Sequence, residues 1–247
     1  GVRHPSHRPS SQEEPVDRSM PAAEARGWLL RLFPAFSSYN FRWLLAANAA
    51  ASLGMSMEML AQGWLVLTLT DSAFWVGAVA GLRGAGLVAF GAMGGVIVDR
   101  VDRRKALALA QMLRGVAVLI LGLLVVTEQV TLPAILAIAL FQGVMQGIVL
   151  PANNTLVFDT TGPSRILNAV SARMMAFNAA RIGGSIVAGA LINSVDVGWC
   201  YVALSGAFFL SPALLLLMRG NFQGTGGREP VWRTLNEGVR YAIGARP

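Results

Sequence analysis

Apolar residues run along this chain in six long blocks, without the spacing of an amphipathic helix or an alternating strand. The blocks cover residues 43–69, 73–98, 106–126, 132–158, 166–192 and 199–218. A helix needs about 20 predominantly apolar residues to cross a bilayer, and all six blocks qualify. The expectation is an all-α membrane protein with six transmembrane helices.

The segments between the blocks set a direction of insertion. Sixteen of the 20 basic residues lie in the segment up to Arg42, in the 100–105 loop, at Arg165, or from Arg219 onward. The loops around Asp71, Glu128 and Asp196 contain none. Cytoplasmic loops carry the excess of Lys and Arg, so both ends of this segment are expected in the cytoplasm of a bacterial plasma (inner) membrane. An even number of spans requires the same result independently.

Composition narrows the function classes. The chain is 54% hydrophobic and 13% charged, against about 25% charged in a soluble domain. Its net charge of +7 sits in short inter-block segments, which is not the basic footprint of a nucleic-acid binder. Cys200 is the single cysteine and cannot form an internal disulfide. The two histidines, His4 and His7, fall in a polar segment rich in Pro, Ser, Glu and Arg that lacks the apolar core of a signal peptide. No metal site, no cofactor, no nucleotide-binding loop and no Ser/His/Asp set is expected, so the chain does not read as an enzyme. The organisation predicted is a largely disordered tail over 1–41, a six-helix domain over 42–219, and a further cytoplasmic segment over 220–247. With Gly1 first and Pro247 following an amphipathic stretch, a fragment of a longer protein is expected.

Five charges fall inside the blocks: Glu58, Arg83, Arg114, Arg173 and Arg181. A charge near the bilayer centre costs about 2.5–3.5 kcal/mol on insertion scales, so each must face a cavity, a partner or the interface. In the first block Asn48, Ser52, Glu58 and Gln62 share one half of the helix surface at about 100° per residue. The fourth block carries Gln142 and Gln146 and then Asn153 and Asn154, and the fifth carries Arg173, Asn178 and Arg181. Asn48, Gln62, Arg83, Arg114, Gln142, Gln146, Arg173, Asn178 and Arg181 are therefore candidates to line a cavity. The sixth block has only Ser205 and Ser211 and can face lipid. Small residues at four-residue spacing, Gly77 with Gly81, Gly91 with Gly95, Gly143 with Gly147, Gly184 with Ala188 and Ser185 with Gly189, and Gly183 beside them, are candidates for close helix contacts within a bundle or on a dimer face.

Between the second and third blocks stand Gly95, Asp99, Arg100, Arg103, Arg104 and Lys105. This resembles the signature loop of the major facilitator superfamily, with Asp102 where that family usually has glycine. Gly63 to Ser72, Pro151-Ala152, Phe158-Asp159 and Leu167-Asn168-Ala169 resemble its drug:proton-antiporter-like branch, which includes enterobactin exporters. Asn178 to Gly184 falls where the branch usually has Arg-x-x-Gly-Pro, with Gly184 in place of the proline. The resemblance runs over residues 41–218. It implies one six-helix half of a twelve-helix fold, built as inverted three-helix repeats, with 231–244 approaching a seventh span and a second half as partner. It also implies alternating access, with the loop around Asp99 acting as a latch that uses Arg103 or Arg104.

The function this implies is secondary active transport: proton-driven export of a small amphipathic or hydrophobic molecule, drug-like or siderophore-like, with the proton gradient as energy source. Uptake on the same fold and a polytopic membrane protein that does not transport are the alternatives. Glu58 is the one acid inside a block. It either binds the coupling proton or pairs with Arg83 or Arg114.

Overall fold

The computed structural model describes residues 37–220 and 222–223. The 1–36 stretch, most of the predicted tail, and nearly all of the predicted 220–247 segment lie outside the described residues. Six helices follow one another: α1 Tyr39–Thr70, α2 Ala73–Arg100, α3 Arg103–Val126, α4 Leu132–Thr161, α5 Ile166–Ser194 and α6 Val197–Leu216. Each is long and apolar enough to cross a membrane. Each contains most of one apolar block, extended at the ends by polar capping residues.

The caps explain where the helices begin and end. Ser38 caps α1 by accepting from the Phe41 N–H, and Asp71 closes it in the left-handed region at φ 47°. Asp102 caps α3: its Oδ1 accepts from the Arg104 and Lys105 N–H groups at 2.9 and 3.3 Å. The residue that departs from the family's glycine thus starts the next helix, a role glycine fills less well. Gly162, at φ 70°, closes α4. Asp196 caps α6 through the Gly198 N–H at 2.7 Å.

The packing order shows how the bundle is built. α2 lies most extensively against α4, α3 against α6, and α1 against α5 and α6; α3 also lies along α4. Exchanging helices 1, 2, 3 for 4, 5, 6 maps the α2–α4 pair onto α5–α1 and the α1–α6 pair onto α4–α3. The contacts therefore carry the pseudo-two-fold relation of an inverted three-plus-three repeat.

Close approach in these seams depends on glycine, though not always the glycines expected. A Cβ at Gly143 would be driven into the Arg83 carbonyl, and one at Gly94 into the Gly147 carbonyl; one at Gly86 would lie 2.8 Å from the Leu140 carbonyl oxygen. In the equivalent seam a Cβ at Gly184 would lie 2.6 Å from the Leu53 carbonyl oxygen. Gly77, Gly81, Gly95 and Gly183 make no close contact within this six-helix bundle: nothing lies within 4 Å of a Cβ built at any of them. Gly91 borders Gly147 through its backbone, but its own Cβ direction is open. The Gly77–Gly81 stripe turns away from α4, and Gly86 and Gly94 take the contact instead.

The sixth helix has two unlike sides. One side is exposed, at Trp199, Leu210 and Leu216. The other buries Cys200, Tyr201, Leu204, Phe208 and Leu215 against α1 and α3. Apolar content could not distinguish these two sides, because lipid and a packed helix both accept apolar residues.

Candidate functional site

A charged cluster crosses the middle of the bundle. Glu58, near the centre of α1, is 1% exposed. Its Oε1 accepts a hydrogen bond from Arg83 Nη2 on α2. Its Oε2 is 4.0 Å from Arg114 Nη2 on α3. Arg114 is buried and donates to three amide oxygens: from Nε to Gln142 at 2.7 Å, and from Nη1 to Gln146 at 3.0 Å and Gln111 at 3.5 Å. Gln142 Nε2 returns a bond to the Arg114 carbonyl at 3.3 Å. The guanidinium also lies 4.8 Å from the Phe208 ring centroid, a cation–π contact. Four helices thus hold one carboxylate and two arginines.

The cluster keeps unused hydrogen-bonding capacity. Glu58 Oε2, Gln62 Nε2 and Arg83 Nε are buried with no hydrogen-bond partner. Such groups are uncommon in a well-packed interior. Gln62 and Arg83 line a cleft of about 410 Å³ together with Arg114, Gln142 and Gln146 among apolar residues, and Glu58 lies behind this lining, in contact with Arg83 and Arg114. A second, smaller cavity of about 200 Å³ lies against it and is lined in part by Asn48, Gln111, Arg114, Gln146, Asn153 and Arg173. Asn48 and Asn153 exchange two hydrogen bonds, at 2.8 and 2.7 Å, between α1 and α4. Arg173 donates to Asn154 Oδ1 at 2.9 Å.

Most of the candidate cavity residues come together. Asn178 and Arg181 do not: both are exposed on α5 and line neither cavity. At about 100° per residue they lie about 140° and 80° around the helix from Arg173. Gln111 was missed, although it stands three residues before Arg114 in an otherwise apolar stretch, on the same helix face.

At the basic end of the bundle the signature loop is engaged differently from expectation. Arg103 Nη1 pairs with Asp159 Oδ2 at 2.6 Å, joining the start of α3 to the last turn of α4. The Arg103 N–H donates to the Phe222 carbonyl at 3.1 Å, and Arg104 Nη1 donates to the Met218 carbonyl. Asp99 is exposed on the last turn of α2, and neither Arg103 nor Arg104 is its partner. Both arginines begin α3 and point along the bundle towards the ends of α4 and α6, where Asp159 and the free carbonyl of a helix end attract them. Asn40 and Arg219 add a reciprocal pair at 2.7 and 2.8 Å between the start of α1 and the residues after α6.

The family description "transmembrane secretion effector" matches residues 32–247. The chain belongs to this family of major facilitator transporters. The enterobactin exporter EntS of Shigella flexneri is 24% identical over 193 residues, covering 78% of this chain and 47% of that protein. An uncharacterized MFS-type transporter of Bacillus subtilis, YfiS, is 28% identical over 132 residues, covering 53% of this chain and 30% of that protein. This secretion-effector chain therefore spans about half, or less, of the length of the curated relatives it matches. The crystal structure of a peptide transporter, POT, shares its fold, with a TM-score of 0.64 at 15% identity over 84% of this chain and 44% of that one. The chain is a multi-pass membrane transporter segment with the fold of a six-helix half.

Proposed function

We propose that this chain is half of a proton-coupled exporter of small amphipathic or hydrophobic molecules, working by alternating access in a bacterial plasma membrane. The observation that carries the proposal is the mid-bundle cluster: one buried carboxylate between two guanidiniums, with one oxygen that accepts no hydrogen bond, the two arginines lining an open cleft. Coupling requires a group that holds a proton in one state and not in the other, and Glu58 is the acid so placed. Protonation of Glu58 would release Arg83, and a midplane site between repeats is where secondary transporters change access.

A second six-helix half is the proposed partner. The outward face of α2, with Gly77, Gly81 and Gly84, and the α5 face carrying Asn178 and Arg181 are unpartnered. Small residues permit close helix approach, and a guanidinium does not settle against lipid tails, so both features favour a protein neighbour. With the arginine-rich end in the cytoplasm, the loops at Asp71, Glu128 and Asp196 face outward. Cysteines introduced there should react with an impermeant thiol reagent in intact cells, while one at Arg103 should not; the reverse pattern would overturn the orientation.

The test of function uses full-length protein in inverted membrane vesicles. An imposed pH gradient should drive uphill accumulation of amphipathic compounds from a panel, and collapsing the gradient should abolish it. Accumulation indifferent to the gradient would remove proton coupling, and movement in the opposite direction would make the protein an uptake carrier.

A further inference from the structure

Charge does not balance in the middle of this bundle. Away from the helix ends, the described residues hold four arginines, Arg83, Arg114, Arg173 and Arg181, and one acid, Glu58. Glu58 accepts a hydrogen bond from Arg83 and its other oxygen lies 4.0 Å from Arg114, so a single carboxylate is shared between two guanidiniums. The hydrogen bonds that Arg114 donates all go to glutamine amide oxygens, and Arg173 donates to Asn154. An amide oxygen solvates a guanidinium but does not neutralise it.

The smaller cavity collects this surplus. Arg114 and Arg173 both line it, together with Asn48, Ser52, Gln111 and Asn153, and no carboxylate does. The larger cleft beside it is mostly apolar, lined by Met55, Met59, Val66, Val76, Val79 and Leu87. Met55, Arg114 and Gln146 line both, so one solute can occupy the two at once. We infer that the smaller cavity receives the acidic group of an organic anion, its two arginines taking a carboxylate or carboxylate-like oxyanion while the apolar body of the solute lies in the larger cleft. A guanidinium fork matches carboxylate oxygens two at a time, which neutral polar groups do not reproduce. Arg173 stands seven residues into α5, about 10 Å from its start at about 1.5 Å per residue, near the basic end of the bundle. An anion entering from that end meets Arg173 first and Arg114 deeper in.

This inference rests on the transporter reading and narrows its substrate class, so its test must fail separately. The full-length transporter in nanodiscs is titrated with radiolabelled phenylbutyrate, with phenylbutyramide and phenylbutylamine as competitors. These probes share one apolar body and differ in the charge of the head. Phenylbutyrate should bind at least about tenfold more tightly than the amide, a difference of about 1.4 kcal/mol, and the amine should not compete. Arg173→Gln should remove most of that preference. Arg114→Gln is the stronger variant but risks the fold, so Arg173→Gln is decisive. Equal affinity for acid and amide, preference for the amine, no phenylbutyrate binding at millimolar concentration, or an unchanged preference in Arg173→Gln would each overturn the inference. That last result is the one expected if Arg173 merely reaches for the headgroup region. If vesicles move neutral or cationic compounds while phenylbutyrate fails to bind, the exporter stands and the anion site falls. If phenylbutyrate binds as predicted but no solute crosses in vesicles, the anion site stands and the transport reading falls.

Discussion

In the seam between α2 and α4, Gly143 leaves no room for a side chain beside the Arg83 carbonyl; in the equivalent seam between α1 and α5, Gly184 does the same beside the Leu53 carbonyl. The two three-helix repeats thus solve the packing problem in the same way. Their interiors differ. The first repeat carries Glu58, Arg83 and Arg114; the second answers this cluster with the neutral amides Gln142 and Gln146, and its own charge in the cavities, Arg173, stands nearer the basic end and has no acid opposite it among the described residues. Packing follows the pseudo-symmetry because backbone approach is a geometric demand on both copies. Charge departs from it, and on the proposed function the reason is that a proton and a solute each need a particular group at a particular place.

The largest expected effect tests the shared part. Gly143→Leu forces a side chain into backbone on the facing helix and should destabilise by about 3 kcal/mol or more, at or beyond the upper end of ordinary overpacking. Gly184→Leu should be nearly as damaging. Folded yield and the melting temperature of detergent-extracted protein, followed by size-exclusion chromatography, measure both. The seams are not equivalent if either substitution is tolerated.

Much of this architecture was legible in the sequence, because the bilayer imposes a length and an apolar composition that are easy to read. Six blocks became six helices, and Asn48 of the first block meets Asn153 of the fourth. Orientation around each helix axis was far less legible. Gly77 and Gly81 have the right spacing but face open space, whereas Gly86 and Gly94, eight residues apart, make the contact. Arg181 and Asn178 share a block with Arg173 and lie outside the cavity. The Asp159 partner of Arg103 lies 56 residues away and has no local signal.

The next effect tests the asymmetric part. If Glu58 carries the proton, Glu58→Gln should fold, bind substrate and support downhill exchange while losing uphill, pH-driven export. If Glu58 serves only to neutralise Arg83 and Arg114, the glutamine leaves two guanidiniums unpaired, and the amount of folded protein should fall. Accumulation with and without an imposed pH gradient, measured beside folded yield, separates the two. A variant that folds normally and still exports uphill would remove Glu58 from coupling.

A smaller effect distinguishes two aspartates at the basic end. Asp159→Asn breaks a partly exposed ion pair and should lower stability by about 0.5–1 kcal/mol. Asp99→Asn leaves the bonds of Arg103 to Asp159 and of Arg104 to the Met218 carbonyl intact, so the melting temperature should not move. If Asp99 latches against a second half, transport by the full-length protein should nevertheless fall. Unimpaired transport by Asp99→Asn would take the signature aspartate out of the mechanism.

The smallest effect lies where the repeats meet. Asn48 on α1 and Asn153 on α4 are on helices that the pseudo-symmetry exchanges, and each donates to the other's side-chain oxygen. The pair is neutral and only half-buried, so it should be worth far less than the charged cluster. Interhelical hydrogen bonds in membranes average about 0.6 kcal/mol by double-mutant cycles, because the separated helices also find partners. A cycle of Asn48→Ala, Asn153→Ala and the double variant, read by SDS-driven unfolding, should return a coupling near that value. Each single alanine should cost about as much as the double, since removing one amide leaves the other without its partner. A coupling near zero would mean that each amide is already satisfied by its surroundings, and that glycine seams and the Glu58 cluster alone hold the repeats in register. A coupling well above about 1.7 kcal/mol, the largest value measured for such bonds, would mean that the site excludes competing partners and that the amide pair shares the fixing of α1 against α4.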